Sequence, residues 1–149
     1  NTGHGKKGHP QGEQDQQTKA AFLLKHFLPE QAKGPLLPPP EIKHSIENGT
    51  LKVTVRFPED ATAESGRIWW MFDRAPDGSP NYLSELIPDA NVAQMQYDPT
   101  LNAWTAKIKL PSGISRVDFF SNHRNTIKHK DIHYATYLSS PYTRVQIDN

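Results

Sequence analysis

The 149-residue sequence contains no cysteine. That excludes a disulfide framework, a thiolate zinc site and a cysteine nucleophile. Apolar residues are scarce at 35%, and mean hydropathy is −0.73, so part of the chain stands outside any core. No run approaches the roughly 18 apolar residues that a bilayer-spanning helix needs. An excess of one charge sign is missing as well: 17 basic and 16 acidic side chains leave a net charge of +1. Nucleic acid and anionic membranes, which both draw on a concentrated positive field, are therefore not expected partners. There is no G-x-S-x-G elbow, and Arg74-Ala75-Pro76-Asp77-Gly78-Ser79-Pro80 is turn chemistry without the G-x-x-x-x-G-K of a phosphate loop. The first residue is Asn1 with no leader pattern after it, so the chain reads as processed or as part of something longer.

Three regions separate by composition. Residues 1–19 are rich in glycine, lysine, histidine and glutamine and read as loop. From about Gln14 to Leu28, apolar residues at Ala20, Ala21, Leu24, Phe27 and Leu28 fall at helical spacing, which predicts an amphipathic helix closed by Pro29. Gly34-Pro35-Leu36-Leu37-Pro38-Pro39-Pro40 follows and reads as a stiff connector. Beyond it the period becomes two. Ile42, His44 and Ile46 alternate with polar residues, Asn48-Gly49 makes a tight turn, and Leu51, Val53, Val55 and Phe57 alternate on the return.

Further strands are predicted at 67–73, 92–97, 103–110, 116–121 and 142–147, with a weaker one at 82–86. Asp98-Pro99 with Asn102 supplies a turn that lets Tyr97 face Trp104. Six or seven strands with no helix between them predict a mostly β chain. The expected fold is an immunoglobulin-like antiparallel β-sandwich preceded by a loop and one amphipathic helix.

The opening Asn1-Thr2-Gly3-His4-Gly5, the polar loop after it and the helix ending at Phe27-Leu28 resemble the tail of an α/β-hydrolase. In that family the catalytic histidine lies in a loop after the last strand and a final helix packs back on the sheet. Secreted bacterial esterases of the family, including the PhoPQ-activated pathogenicity-related proteins, are similar in carrying a small β-domain after the catalytic one.

The resemblance implies that residues 1–33 are the end of an α/β-hydrolase domain, 34–41 a linker and 42–149 an accessory sandwich. It implies that His4 is the general base of a serine hydrolase acting on esters, carbohydrate esters among them, or on peptides, and that the protein is exported. An imidazole can take the proton of a serine hydroxyl and hand it to the leaving group, and flanking glycines let its loop turn sharply. The nucleophile and acid would belong to the remainder of the catalytic domain, because this chain lacks them. Neither cofactor nor metal is implied.

Other constellations have simpler readings. His123, His129 and His133 with Asp131 could bind zinc, but Arg124, Lys128 and Lys130 oppose a cation, and the stretch reads as a polar loop between the last two strands. Asn122-His123-Arg124-Asn125 could form a polar surface against a neighbouring domain. Trp69 and Trp70 are adjacent in a strand and so point to opposite faces, one to the core. The alternative to the hydrolase is a non-catalytic module that binds carbohydrate or protein, with the outward tryptophan, Tyr82 and Trp104 as ligand-facing aromatics.

Overall fold

The computed structural model of the chain describes residues 13–74 and 91–147. The helix α1 spans Glu13–Phe27. Asp15 and Lys19 pair across one turn at 2.8 Å. At the other end Pro29 lacks the N–H needed to continue, and Lys25 reaches past it to donate to the Ala32 carbonyl at 3.0 Å. Ten strands follow in the described residues: β1 (Ala32–Lys33), β2 (Glu41–Glu47), β3 (Thr50–Arg56), β4 (Ser65–Phe72), β5 (Val92–Gln94), β6 (Gln96–Asp98), β7 (Ala103–Lys109), β8 (Arg116–His129), β9 (Ile132–Ser139) and β10 (Thr143–Gln146).

They form two antiparallel sheets. Sheet B has the order β2-β3-β7-β6. Its first hairpin turns at Asn48 and Gly49, with φ of 49° and 67°, which aligns Glu47 with Thr50 and every apolar residue of β3 with the inner face. The second turns where the Asp98 carboxylate accepts from the N–H groups of Thr100 and Leu101. Sheet A is built on β8. One edge of β8 takes β4 and, beyond it, β1; the other takes β9 and then β10. Leu51, Val53, Val55, Ile68, Val117 and Phe119 meet between the sheets, each worth about 1.5–3 kcal/mol of burial.

The sheets differ in length. At about 3.3 Å per residue, the 14 residues of β8 outrun the 7-residue strands β2, β3 and β7 of sheet B. The overhang carries Ile127 and Tyr134 on its inner side, and α1 covers them with Ala21 and Leu24, joined by Ala32 and Leu36. The Gln17 side chain accepts from the Ala135 N–H at 2.9 Å, so the helix also closes an otherwise open strand edge. The segment 34–41 lies along the sandwich. Leu37 is buried in the main core, and the Pro35 carbonyl accepts from the Asn125 amide at 2.7 Å.

Two expectations are corrected. The strand predicted at 92–97 is broken at buried Met95: β5 belongs to sheet A and β6 to sheet B, and the Met95 N–H bonds to the Gly66 carbonyl at 2.9 Å at the crossing. The polar loop expected after 121 is instead a long hairpin, β8–β9, with Lys130 at φ 52° in its turn. Its inward polar residues hid the alternation, yet they find partners inside: Asn125 on the Pro35 carbonyl, and Ser121 and His123 on each other, hydroxyl to Nε2, at 3.0 Å. The strand predicted at 82–86 lies outside the described residues.

Candidate functional site

His4, carried over from the hydrolase resemblance, lies outside the described residues, as do His9 and Tyr82. What the structure does describe is the helix that follows His4. Its inner stripe of Gln17, Ala21 and Leu24 is fixed to the sandwich. Phe22, Leu23 and Phe27 remain 50%, 52% and 76% exposed, with Leu28 just beyond the helix at 38%. Successive residues turn by about 100°, so Phe22 and Leu23 point away from Ala21 and Leu24; Phe27 and Leu28, expected on the same apolar stripe as Ala21 and Leu24, stay exposed instead. Two aromatic and two leucine side chains are thus left in contact with solvent. The Phe22 ring is stacked on the His26 imidazole, centroids 4.0 Å apart.

The aromatics of the binding-module reading are separated. Trp70 packs into the core, while Trp69 is on the outer face of sheet A, stacked on Phe120 with centroids 5.5 Å apart and planes 9° apart. Trp104 faces inward from sheet B beside Tyr97. No one ligand can lie on Trp69 and Trp104 together. Phe57, Ala61, Tyr97, Asn102 and Trp104 border a depression of about 10 Å³, room for a single water and too small for a sugar.

The histidines are also dispersed. His123 is fully buried, donating or accepting at Nε2 with the Ser121 hydroxyl at 3.0 Å. Its ring meets Phe57 and Trp104 edge-on, with centroids at 5.0 and 5.9 Å. Burial pushes its pKa down to about 4, with the Ser65 carbonyl opposing, so it is a neutral core residue near pH 7. Strand alternation therefore splits the predicted polar surface: His123 and Asn125 point inward, Asn122 and Arg124 outward. His129 and His133 fall on opposite faces of the hairpin, since His133 pairs with Lys128 and His129 with Ile132. Among the described residues no group of histidine and carboxylate is assembled to hold a metal.

One polar cluster escaped the sequence reading. Asp118 faces outward on β8 yet is 2% exposed, because Arg144 forks onto its carboxylate at 2.7 and 2.9 Å. Burial pushes the carboxyl pKa up, but the hydrogen bonds from Arg144 and Tyr142 outweigh it and leave it lowered. Arg74 donates to the Tyr142 hydroxyl at 3.1 Å. Beside it, the Asp73 carboxylate accepts from the Ser115 N–H and hydroxyl and from the Arg116 N–H. The bonded partners are 24 to 68 apart in sequence, so no local motif announces them. The cluster offers no free nucleophile and reads as a clamp joining β10 and the end of β4 to β8. No protein-family model and no curated protein matches this chain.

Proposed function

We propose that this chain is the closing helix and accessory β-domain of a serine hydrolase, with His4 as the general base of ester hydrolysis. The observation that carries the reading is the two-sided helix. α1 is bound to the sandwich through Ala21 and Leu24, while Phe22 and Leu23 on its far side, and Phe27 and Leu28 at its C-terminal end, stay exposed. An α/β-hydrolase sheet is an apolar layer of the kind such a helix packs on. The helix then acts as a shared element that ties the accessory domain to the catalytic one, and it follows His4 in sequence.

In that arrangement His4 takes the proton of the serine hydroxyl as it attacks the ester carbonyl, and returns it to the departing alcohol. Water then repeats the cycle on the acyl-enzyme. The sandwich does no chemistry; its buried His123 and clamped Asp118 are structural. The carbohydrate-module alternative loses support because Trp69 and Trp104 occupy different surfaces.

The test uses the complete encoded protein, assayed with p-nitrophenyl acetate and labelled with a fluorophosphonate. A labelled serine and a loss of about 10³-fold or more in kcat for His4→Ala are expected, with folding unchanged. Absence of any fluorophosphonate-reactive serine would sink the proposal, as would undiminished hydrolysis by the His4→Ala variant.

A further inference from the structure

The near-zero net charge conceals a local concentration. On the outer face of sheet A, Lys33 of β1, Lys128 of β8 and His133 of β9 are direct cross-strand neighbours. All three are exposed, and exposed Lys130 stands in the adjoining turn. Strands lie about 4.8 Å apart, so the backbone sets these groups at even intervals along a straight line, a spacing comparable to one sugar ring. Like charges directly opposite each other weaken an antiparallel pair. Here no acid among the described residues forms an ion pair with Lys33, Lys128 or Lys130.

Glu30, Glu64 and Asp131, the carboxylates close to the row in sequence or across the sheet, form no ion pair with it. Glu64 is engaged by Arg124 at 3.1 Å and by the Thr126 hydroxyl at 2.9 Å. Asp131, in the turn itself, makes no ion pair with a described residue. Lys33, Lys128 and Lys130 are thus exposed with no ion-pair partner among the described residues.

We propose that this row binds a linear acidic polysaccharide, its carboxylates meeting Lys33 and Lys128 with His133 and Lys130 alongside. The surroundings favour a glycan over the other polyanions. Phe22, Leu23, Phe27 and Leu28 project from α1, which packs on the inner side of the sheet, and Ile132 pairs with inward-facing His129. Among the described residues no large apolar side chain is exposed on the face of the row itself; Ile132, 55% exposed, lies on the opposite face of the hairpin. Among the described residues it has no exposed aromatic ring on which bases could stack. The inference stands apart from the hydrolase reading, and its test measures no hydrolysis, so either can fail alone.

The experiment is affinity electrophoresis of the whole chain through gels containing polygalacturonate, with dextran as the neutral control. Retardation by polygalacturonate and none by dextran are expected. The double variant Lys33→Gln/Lys128→Gln should bind about tenfold more weakly. Lys52→Gln/Lys107→Gln, which removes the same charge from a cross-strand pair on sheet B, should change binding by less than about twofold. Thermal unfolding of both variants establishes that they remain folded. Equal losses in the two variants would reduce the effect to net charge and overturn the site. No retardation of the parent chain would overturn it as well, as would tighter binding to phosphatidylserine vesicles or to an oligothymidylate.

Discussion

The imidazole of His123 occupies the space that a side chain on Gly66 would need. A Cβ at Gly66 would stand 2.7 Å from its Cε1 and 2.8 Å from its Nδ1. The two residues are direct partners on β4 and β8, and the ring lies over the bare backbone with Phe57 and Trp104 at its edges.

Gly66→Ala should therefore cost about 1–3 kcal/mol by overpacking, read as a lower urea midpoint with unchanged slope. In the double variant with His123→Ala, the penalty for the added methyl should shrink, a coupling between neighbours that only direct contact produces. Strictly additive losses would show that the two sites do not touch.

His123 also sets an acid response. Its folded pKa, about 4, lies below the ordinary histidine value of 6.5, so between those limits the unfolded chain binds more protons than the folded one. Stability is then complete above pH 6.5 and declines as pH falls toward 4, by about 3 kcal/mol in all. Urea unfolding at half-unit pH steps should show this slope in the parent chain. His123→Gln should flatten it.

Asp118 acts lower on the scale. Its carboxyl pKa is held below the ordinary carboxylate value, so its contribution is present above that range and disappears as pH falls through the folded value. Asp118→Asn should destabilise by about 3 kcal/mol, since it strands the Arg144 guanidinium on a neutral partner. Tyr142→Phe should cost about 1 kcal/mol. The His123→Gln chain should keep this second, more acidic loss while lacking the first.

Buried and exposed apolar positions of α1 should respond in opposite ways. Ala21→Asp places a carboxylate against Ala32 and Ile127 and should cost more than about 2 kcal/mol. Phe27→Asp, at a residue 76% exposed, should leave the urea midpoint of this chain within about 0.5 kcal/mol yet impair hydrolysis by the complete protein. A large stability loss from Phe27→Asp would mean that its ring is packed within this chain.

The parts of the fold that could be read in advance are those where one local rule dominates. Asn48-Gly49 dictates a turn whose register then places Leu51, Val53 and Val55 inward. Pro29 ends a helix whose periodicity is plain from Ala20 to Phe27. Where two rules compete, the sequence is ambiguous. β8 alternates Ser121, His123 and Asn125 toward the core, and polar side chains at core positions look like loop until it is known that Ser121 and His123 bond each other and that Asn125 reaches Pro35, 90 residues away. The break at Met95 is invisible for a similar reason, because an apolar residue in a strand does not say which of two sheets its flanks will join. The basic row of Lys33, Lys128 and His133 exists only once β1 is laid beside β8.

The central position of β8 also dictates an order of assembly during synthesis. Every strand of sheet B lies between residues 41 and 109 and is complete before β8 has been made. β8 then needs β1, from residue 32, and β10, which ends at residue 146. A nascent chain with sheet B formed exposes Leu51, Val53, Val55 and Ile108 to solvent until the final quarter of the sequence emerges. That interval, when a finished apolar face waits for its cover, is the stage at which a chaperone or an aggregating neighbour competes for the protein.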